Sequence, residues 1–279
     1  MMKKLIISLF VFMALPMLGL AITPDNDRIE VISYNIRTGE AKDGTNSWQF
    51  RYTANITFLN EEKPDVLGLQ EAMMYQEKGL LYDCQDYKAI GIGRENGKKL
   101  GERMSILYNK NTISVSKWGT FWLSKNPKKP SIGWDAACKR TATWALMKLK
   151  DSKKMFFCIN THLDHKGVEA KKNGLKLILE KIEELNPNGY PVVLMGDFNV
   201  LSYDPALNEL NEVMSDARKV ASKSDILNTY NGWGRSKKTI DYIYIKGFSK
   251  CLEFQTIQKR FGDKTFISDH YPIKAVLEF

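Results

Sequence analysis

Three short segments in the last third of the chain concentrate residue types that move protons: Gly196-Asp197-Phe198-Asn199, Thr239-Ile240-Asp241-Tyr242 and Ser268-Asp269-His270. A carboxylate such as Asp197 orients or deprotonates a water, and a neighbouring amide such as Asn199 holds that water or an oxyanion by hydrogen bonds. Asp241 interrupts an otherwise apolar run, where a charge must be paired. The partner expected is His270, because an Asp on one ring nitrogen fixes the tautomer and raises the basicity of the other. The other two of the three histidines lie in Asn160-Thr161-His162-Leu163-Asp164-His165. His162 is suited to donate to an oxyanion as charge builds. A His162/His165 metal pair is the rival, without a further ligand cluster beside it. Near the N-terminus, Tyr34-Asn35-Ile36 and Leu69-Gln70-Glu71 end apolar runs. A carboxylate delivered there suits Mg2+ or Mn2+, which prefer oxygen and keep several waters. The chemistry these residues share is metal-assisted attack of water on a phosphate ester.

Each segment alone also has a plainer reading. Gly-Asp-x-Asn makes a turn with local backbone bonds. Asp269-His270 fits a surface turn, and Asp241 fits an edge strand facing water. Glu71 fits an acid stabilised at a helix N-terminus.

Rigid elements must deliver these groups. Strand-like runs recur at Glu30–Ile36, Asp65–Gln70, Ser105–Tyr108, Thr141–Leu149, Met155–Thr161, Pro191–Met195, Ile240–Lys246 and Ile273–Phe279, most of them rich in Val, Ile, Tyr or Phe. Between them, Ile56 and Leu59 mark one face of a helix over Arg51–Glu62 that Pro64 stops. Leu175, Ile178, Ile182 and Leu185 mark one face of a second, Gly167–Asn186, ended by Asn186-Pro187-Asn188-Gly189. Gly196 is expected to permit a tight turn after its strand. Strands mixed with amphipathic helices, and no linker or short repeat, predict one α/β domain. The strands are too irregularly interleaved for an eightfold barrel.

The chain has 279 residues, 43% hydrophobic, enough for a large core. Residues 1–21 stand apart: a basic head with Lys3 and Lys4, an apolar stretch from Leu5 to Leu20, then small residues ending at Ala21. This reads as a secretory signal peptide, shorter than the ~20 apolar residues a membrane span needs. The mature domain is then 22–279, periplasmic or secreted. Loss of the two lysines takes the formal charge from +9 to +7. A basic exported protein favours anionic partners, although no dense Lys/Arg block tracks a nucleic-acid backbone. Cys84, Cys138, Cys158 and Cys251 form no C-x-x-C pair, which argues against zinc and thioredoxin chemistry. Export permits disulfides, yet Cys158 sits in a buried-strand pattern and is expected to be an inert thiol.

The order Asn…Glu…His…Asp-x-Asn…Asp…Asp-His resembles the endonuclease/exonuclease/phosphatase superfamily, from Val31 to the C-terminus. Gly196-Asp197-Phe198-Asn199 and Ser268-Asp269-His270 are its most specific pieces. The resemblance implies a DNase I-like fold: a four-layered α/β sandwich, two mixed β-sheets packed face to face with helices outside and the site at one edge between them. It implies that Glu71, Asn35 and Asp269 bind Mg2+ or Mn2+, and that Asp197 and Asn199 position or activate water. Asp241 would orient His270, and His162 and His270 would flank the scissile phosphate. Glu102 is expected to support His162, Arg140 to contact phosphate, and Asp164 to support the site.

The reaction expected is in-line hydrolysis of a phosphodiester, with a phosphomonoesterase as the alternative. A nuclease, a lipid-head-group phosphodiesterase and a sugar-phosphate phosphatase all fit. No stable protein partner is implied, and a monomer is the default. An inactive anion-binding module on the same scaffold is the rival from another class; the presence of all eight site residues favours the enzyme. Trp118, Phe121, Trp122, Trp134 and Trp233 are expected outside the clearest strands, where aromatics can stack on a base or a sugar.

Overall fold

The computed structural model describes residues 27–279; the expected signal peptide lies outside them. In chain order the elements are β1 (Arg28–Asn35), α1 (Trp48–Glu62), β2 (Val66–Gln70), α2 (Met74–Asp83), β3 (Tyr87–Ile90), β4 (Ile106–Asn109), β5 (Ile113–Trp122), β6 (Thr141–Leu149), β7 (Met155–His162), α3 (Val168–Leu185), β8 (Val192–Asp197), α4 (Asn208–Val213), β9 (Ser215–Asp216), α5 (Ala217–Val220), β10 (Asp241–Lys246), β11 (Lys250–Thr256) and β12 (Ile273–Glu278). They build two six-stranded sheets, ordered β11-β12-β1-β2-β4-β3 and β5-β6-β7-β8-β10-β9. β1–β2 and β7–β8 pair parallel and the remaining neighbours antiparallel, so both sheets are mixed. Among the described residues no helix is long and apolar enough to cross a membrane.

The layers follow from strand alternation, which sends successive side chains to opposite faces. Ile29 and Val31 of β1 join Met147, Phe156, Cys158, Val193, Met195 and Ala275 between the sheets. Ile32 and Tyr34 point the other way, onto Ala54, Phe58 and Leu59 of α1. On the far side Phe157, Ile159, Leu194 and Tyr244 meet Leu175, Ile178 and Ile182 of α3. Helix, sheet, sheet, helix is the four-layered α/β sandwich. α1 closes with Lys63 in the left-handed region (φ 45) ahead of Pro64, which cannot continue it.

Polar groups stitch the sheets where they approach the site. Gln70 Nε2 donates to Asn160 Oδ1 at 2.6 Å, and Asn160 Nδ2 donates to the carbonyls of Leu69 (2.8 Å) and Ser105 (2.9 Å). Gly68 makes this possible, since a Cβ there would stand 2.9 Å from Asn160 Oδ1 and from Met195 Sδ. Gly196 does not open a turn. It lies inside β8, and its missing side chain lets Thr161 of β7 pass, because a Cβ would come within 2.0 Å of the Thr161 carbonyl oxygen.

Trp118, Phe121 and Trp122 belong to β5 and not to loops, with Phe121 and Trp122 buried. Trp134 and Trp233 do sit in turns, both at positive φ.

Candidate active site

Strand register brings the expected residues to one edge. β7 and β8 run parallel with His162 opposite Asp197, and β10 enters antiparallel with Asp241 opposite the same Asp197. In the other sheet Asn35 is opposite Gln70, so β1 and β2 leave together and Glu71 follows directly. β12 is antiparallel to β1, so the segment leading into it, Ser268–His270, arrives at that same end. Ser268 Oγ donates to the Asn35 carbonyl at 2.6 Å. The edges face a cavity of about 590 Å³ lined by residues that include Glu71, His162, Asp197, Asn199, Asp269 and His270.

Asp197 is the hub. Its Oδ2 lies 3.4 Å from His162 Nε2 and 3.6 Å from His270 Nε2, and accepts from Asn35 Nδ2 at 3.0 Å. Its Oδ1 accepts from the Asn199 backbone N–H at 2.9 Å. Burial, then the charge on Asp241, push its pKa above the usual carboxylate range. Asp241 accepts from His270 Nδ1, 2.9 and 3.1 Å from its two oxygens. Burial opposes charge on His270, but Asp241 and then Asp197 override it and raise the pKa, so this ring is an imidazolium at neutral pH.

His162 goes the other way. Burial, then Arg140 and Arg94, depress its pKa well below the ordinary value. Asn199 Nδ2 lies 3.1 Å from the Leu163 carbonyl, which fixes it as nitrogen, and 2.9 Å from His162 Nε2. An amide nitrogen only donates, so Nε2 accepts and the ring proton sits on Nδ1, buried and without a partner. The expected donation from His162 to a phosphate oxygen is therefore not what Nε2 offers here. It holds Asn199, whose Oδ1 is left for a water.

The cation end is built from carboxylates. Glu71 accepts from Asn35 Nδ2 (3.1 Å) and from the Thr38 N–H (3.0 Å). Asp269 is raised by burial and, against the pull of His270, by repulsion from Glu71. Two mutually repelling carboxylates on one cavity, all oxygen donors, fit a hard divalent cation. Asn35 braces this end: its amide nitrogen serves Glu71 and Asp197, and its oxygen accepts from the Arg37 N–H at 3.0 Å. Asp197, Asp241 and His270 also lie close enough to share an ion, with His270 Nδ1 bonded to Asp241 and Asp197 Oδ2 accepting from Asn35. Arg37, Glu71 and Asn199 all hold left-handed φ (59, 59 and 53°), strain of about 1–3 kcal/mol each that the site retains.

Glu102 does not support His162. Its Oε2 stands 2.7 Å from Arg94 Nη1. The two residues share one hairpin, closed by the Arg94 N–H to the Glu102 carbonyl at 3.0 Å, so the local guanidinium captures the carboxylate. Arg140 lines the cavity, its Nε 3.5 Å from Asp164 and its Nη2 3.1 Å from His165 Nδ1. Asp164 is consumed by the N–H groups of Lys166, Gly167 and Ala137 and by Arg140, which fixes its loop.

Four contributors escape sequence reasoning. Thr229 Oγ1 donates to Asp241 at 2.5 Å, and Tyr230 lays its ring 4.8 Å from that of His270. Arg94 stands at the cavity wall. Arg51, 1% exposed, lies between the Trp48 and Trp233 rings and donates to the carbonyls of Ile36 (2.9 Å), Arg37 (3.3 Å) and Ile267 (2.7 Å). It thereby clamps the two loops that carry Asn35 and Asp269.

A comparison with curated proteins finds no match. Among solved structures, an endonuclease/exonuclease/phosphatase from Bacteroides vulgatus is similar at 33% identity and TM-score 0.86, covering 90% of this chain and 99% of that one. A mannosyl-6-phosphatase from Bacteroides thetaiotaomicron is similar at 28% identity and TM-score 0.85, covering 90% and 100%. The D. rerio TDP2 structure, 16% identical with TM-score 0.72 over 90% and 99%, shares the fold. The family model described as Endonuclease/Exonuclease/phosphatase family matches residues 32–270. On that match and the 33% relative, this chain belongs to the endonuclease/exonuclease/phosphatase family.

Proposed function

We propose that this protein is a divalent-metal-dependent phosphoester hydrolase, exported after loss of residues 1–21, which cleaves by in-line attack of water. The observation that carries this is Asp197 lying between the Nε2 atoms of two histidines, on one cavity with the carboxylates of Glu71 and Asp269. The water is held by Asn199 Oδ1 and gives its proton to Asp197, whose raised pKa suits a base at neutral pH. His270, kept charged by Asp241, donates from Nε2 to an oxygen that gains charge in the transition state. Glu71 and Asp269 would hold Mg2+ or Mn2+, which when bound supplies positive charge to the ester oxygens. The mannosyl-6-phosphatase of the same fold supports phosphoester hydrolysis on this scaffold.

The test is turnover of chromogenic phosphate esters by the 22–279 form, stripped with EDTA and reloaded with Mg2+ or Mn2+. Metal should restore turnover. Asp197→Asn and His270→Ala should each lower kcat by about 10²–10⁴; Asp197→Asn should keep the unfolding midpoint, whereas His270→Ala lowers it because Asp241 is left buried and unpaired. Wild-type turnover in both variants would refute the assignment, and indifference to EDTA would remove the metal role of Glu71 and Asp269.

A further inference from the structure

We propose that Thr141 is a positioning residue for His162: its hydroxyl takes the Nδ1 proton, directly or through one bound water, and so keeps Nε2 bare. The effect on rate rests on the phosphoester-hydrolase reading above, whereas the placement rests on strand register alone.

One row of side chains crosses the second sheet at the cavity. Trp122 of β5 is opposite Thr141 of β6, His162 of β7 is opposite Asp197 of β8, and Asp197 is opposite Asp241 of β10. β6 and β7 run antiparallel, with Ala142 opposite Thr161 and Thr143 opposite Asn160. That register sets Thr141, the first residue of β6, opposite His162, the last of β7. Both point the same way. Ala145 and Met147 of β6 and Phe156 and Cys158 of β7 face the space between the sheets, and strand alternation brings Thr141 and His162 to that face. Cross-strand neighbours have Cβ atoms about 4.5–5.5 Å apart. At that separation a threonine hydroxyl reaches an imidazole Nδ1 directly or across one water.

Both groups lack a partner. Thr141 is 1% exposed and His162 4%, and Thr141 Oγ1 and His162 Nδ1 are each sealed from water with no hydrogen bond. One such buried polar atom is rare, and a donor and an acceptor on facing residues of one strand pair make a matched set. Thr161 Oγ1 donates to the Thr141 carbonyl, which leaves the Thr141 hydroxyl uncommitted. Glu102, the other acceptor on this wall, is turned to Arg94.

The tautomer of His162 is a contest between two neighbours. Asn199 Nδ2 donates to Nε2 and so requires the ring proton on Nδ1, while Asp197 Oδ2, 3.4 Å from Nε2, favours it on Nε2. A carboxylate prevails over an amide unless the Nδ1–H has an acceptor of its own. Thr141 supplies that acceptor. With the proton on Nε2, His162 would donate to the carboxylate that has to take a proton from water. Asn199 would be displaced, and with it the amide oxygen that holds that water. Thr141 thus acts through His162 and Asn199 and touches no reacting atom.

Nitrogen NMR of the 22–279 form with labelled histidine decides this, because bare and protonated ring nitrogens resonate far apart and the chain has three histidines. His165 marks the opposite tautomer, since Arg140 donates to its Nδ1. Wild type should show the His162 proton on Nδ1. Thr141→Val, with the same shape and no hydroxyl, should move it to Nε2. The same variant should lower kcat about 5- to 10-fold, the worth of one neutral hydrogen bond, with KM within about twofold. Thr141→Ser, which keeps the hydroxyl, should hold the tautomer and most of the rate. Thr141→Ala carries the comparison if the Val variant does not fold. A wild-type proton on Nε2, or an unchanged tautomer without the hydroxyl, overturns the role of Thr141 whatever happens to kcat. A tautomer shift in Glu102→Ala and not in Thr141→Val overturns it too, by assigning the proton to Glu102. The predicted shift in a protein that turns over no phosphate ester with Mg2+ or Mn2+ leaves Thr141 holding His162 and overturns the hydrolase reading.

Discussion

Behind the Asp241–His270 pair stands Thr229, which donates to Asp241 and accepts the backbone N–H groups of Ile240 and Asp241, both at 3.1 Å. Thr229→Val keeps the shape and removes all three bonds. It should cost about 2 kcal/mol in urea unfolding and lower kcat more than it changes KM, since His270 loses orientation while the cavity wall keeps its form. Asp164 gives a pH signature. Burial works against its charge, but the N–H groups of Gly167, Lys166 and Ala137, then Arg140, outweigh it and hold the pKa down to about 2. A depressed folded-state pKa contributes stability above the unfolded value near ~4, lost as pH falls towards ~2. The margin of wild type over Asp164→Asn in urea should accordingly be about 2 kcal/mol at pH 6 and shrink below pH 4. Asp197, Asp241 and His270 were legible because a polar side chain in or beside an apolar run demands a reason. Thr229, Arg51 and Arg94 were not, because nothing in their local sequence separates a residue that braces a site from one that faces water.

At the scale of elements, the site depends on how closely β2 and β7 approach. Gly68→Ala would place a methyl 2.9 Å from Asn160 Oδ1. The expected result is a loss of about 1–3 kcal/mol in chemical denaturation, with activity falling further than stability because Gln70, next to Glu71, shifts with Asn160. Wild-type stability in this variant would show that the sheets have slack there. The strands that carry the site were readable from their Val/Ile runs. β5 was not. It is an edge strand, reads Ile-Ser-Val-Ser-Lys-Trp-Gly-Thr-Phe-Trp, and shifts register between Val115 and Lys117, so its alternation breaks midway. α2 contains Gly79 and shows no clean apolar face, which hid it among the loops. The role of Gly196 was misjudged for a related reason. A glycine before two polar residues signals a turn, whereas here it answers a carbonyl on the next strand.

For the whole molecule, the two layers of helices and the doubled sheet followed from the family resemblance more than from periodicity. Strand counts alone do not say which strands share a sheet. Stability rests on that core and not on covalent bridges. All four cysteines are free, and Cys84, Cys158 and Cys251 are buried. Unfolding midpoints with and without reductant should coincide, and a fall under reductant would reveal a bridge formed by rearrangement. One further consequence comes from Ser268 bonding to the carbonyl of Asn35, 233 positions away in the chain. The reactive assembly needs strands from near both extremities of the polypeptide. A product that ends before Ser268 lacks both Asp269 and His270, and the cluster around Asp197 stays incomplete until the last strand has been made.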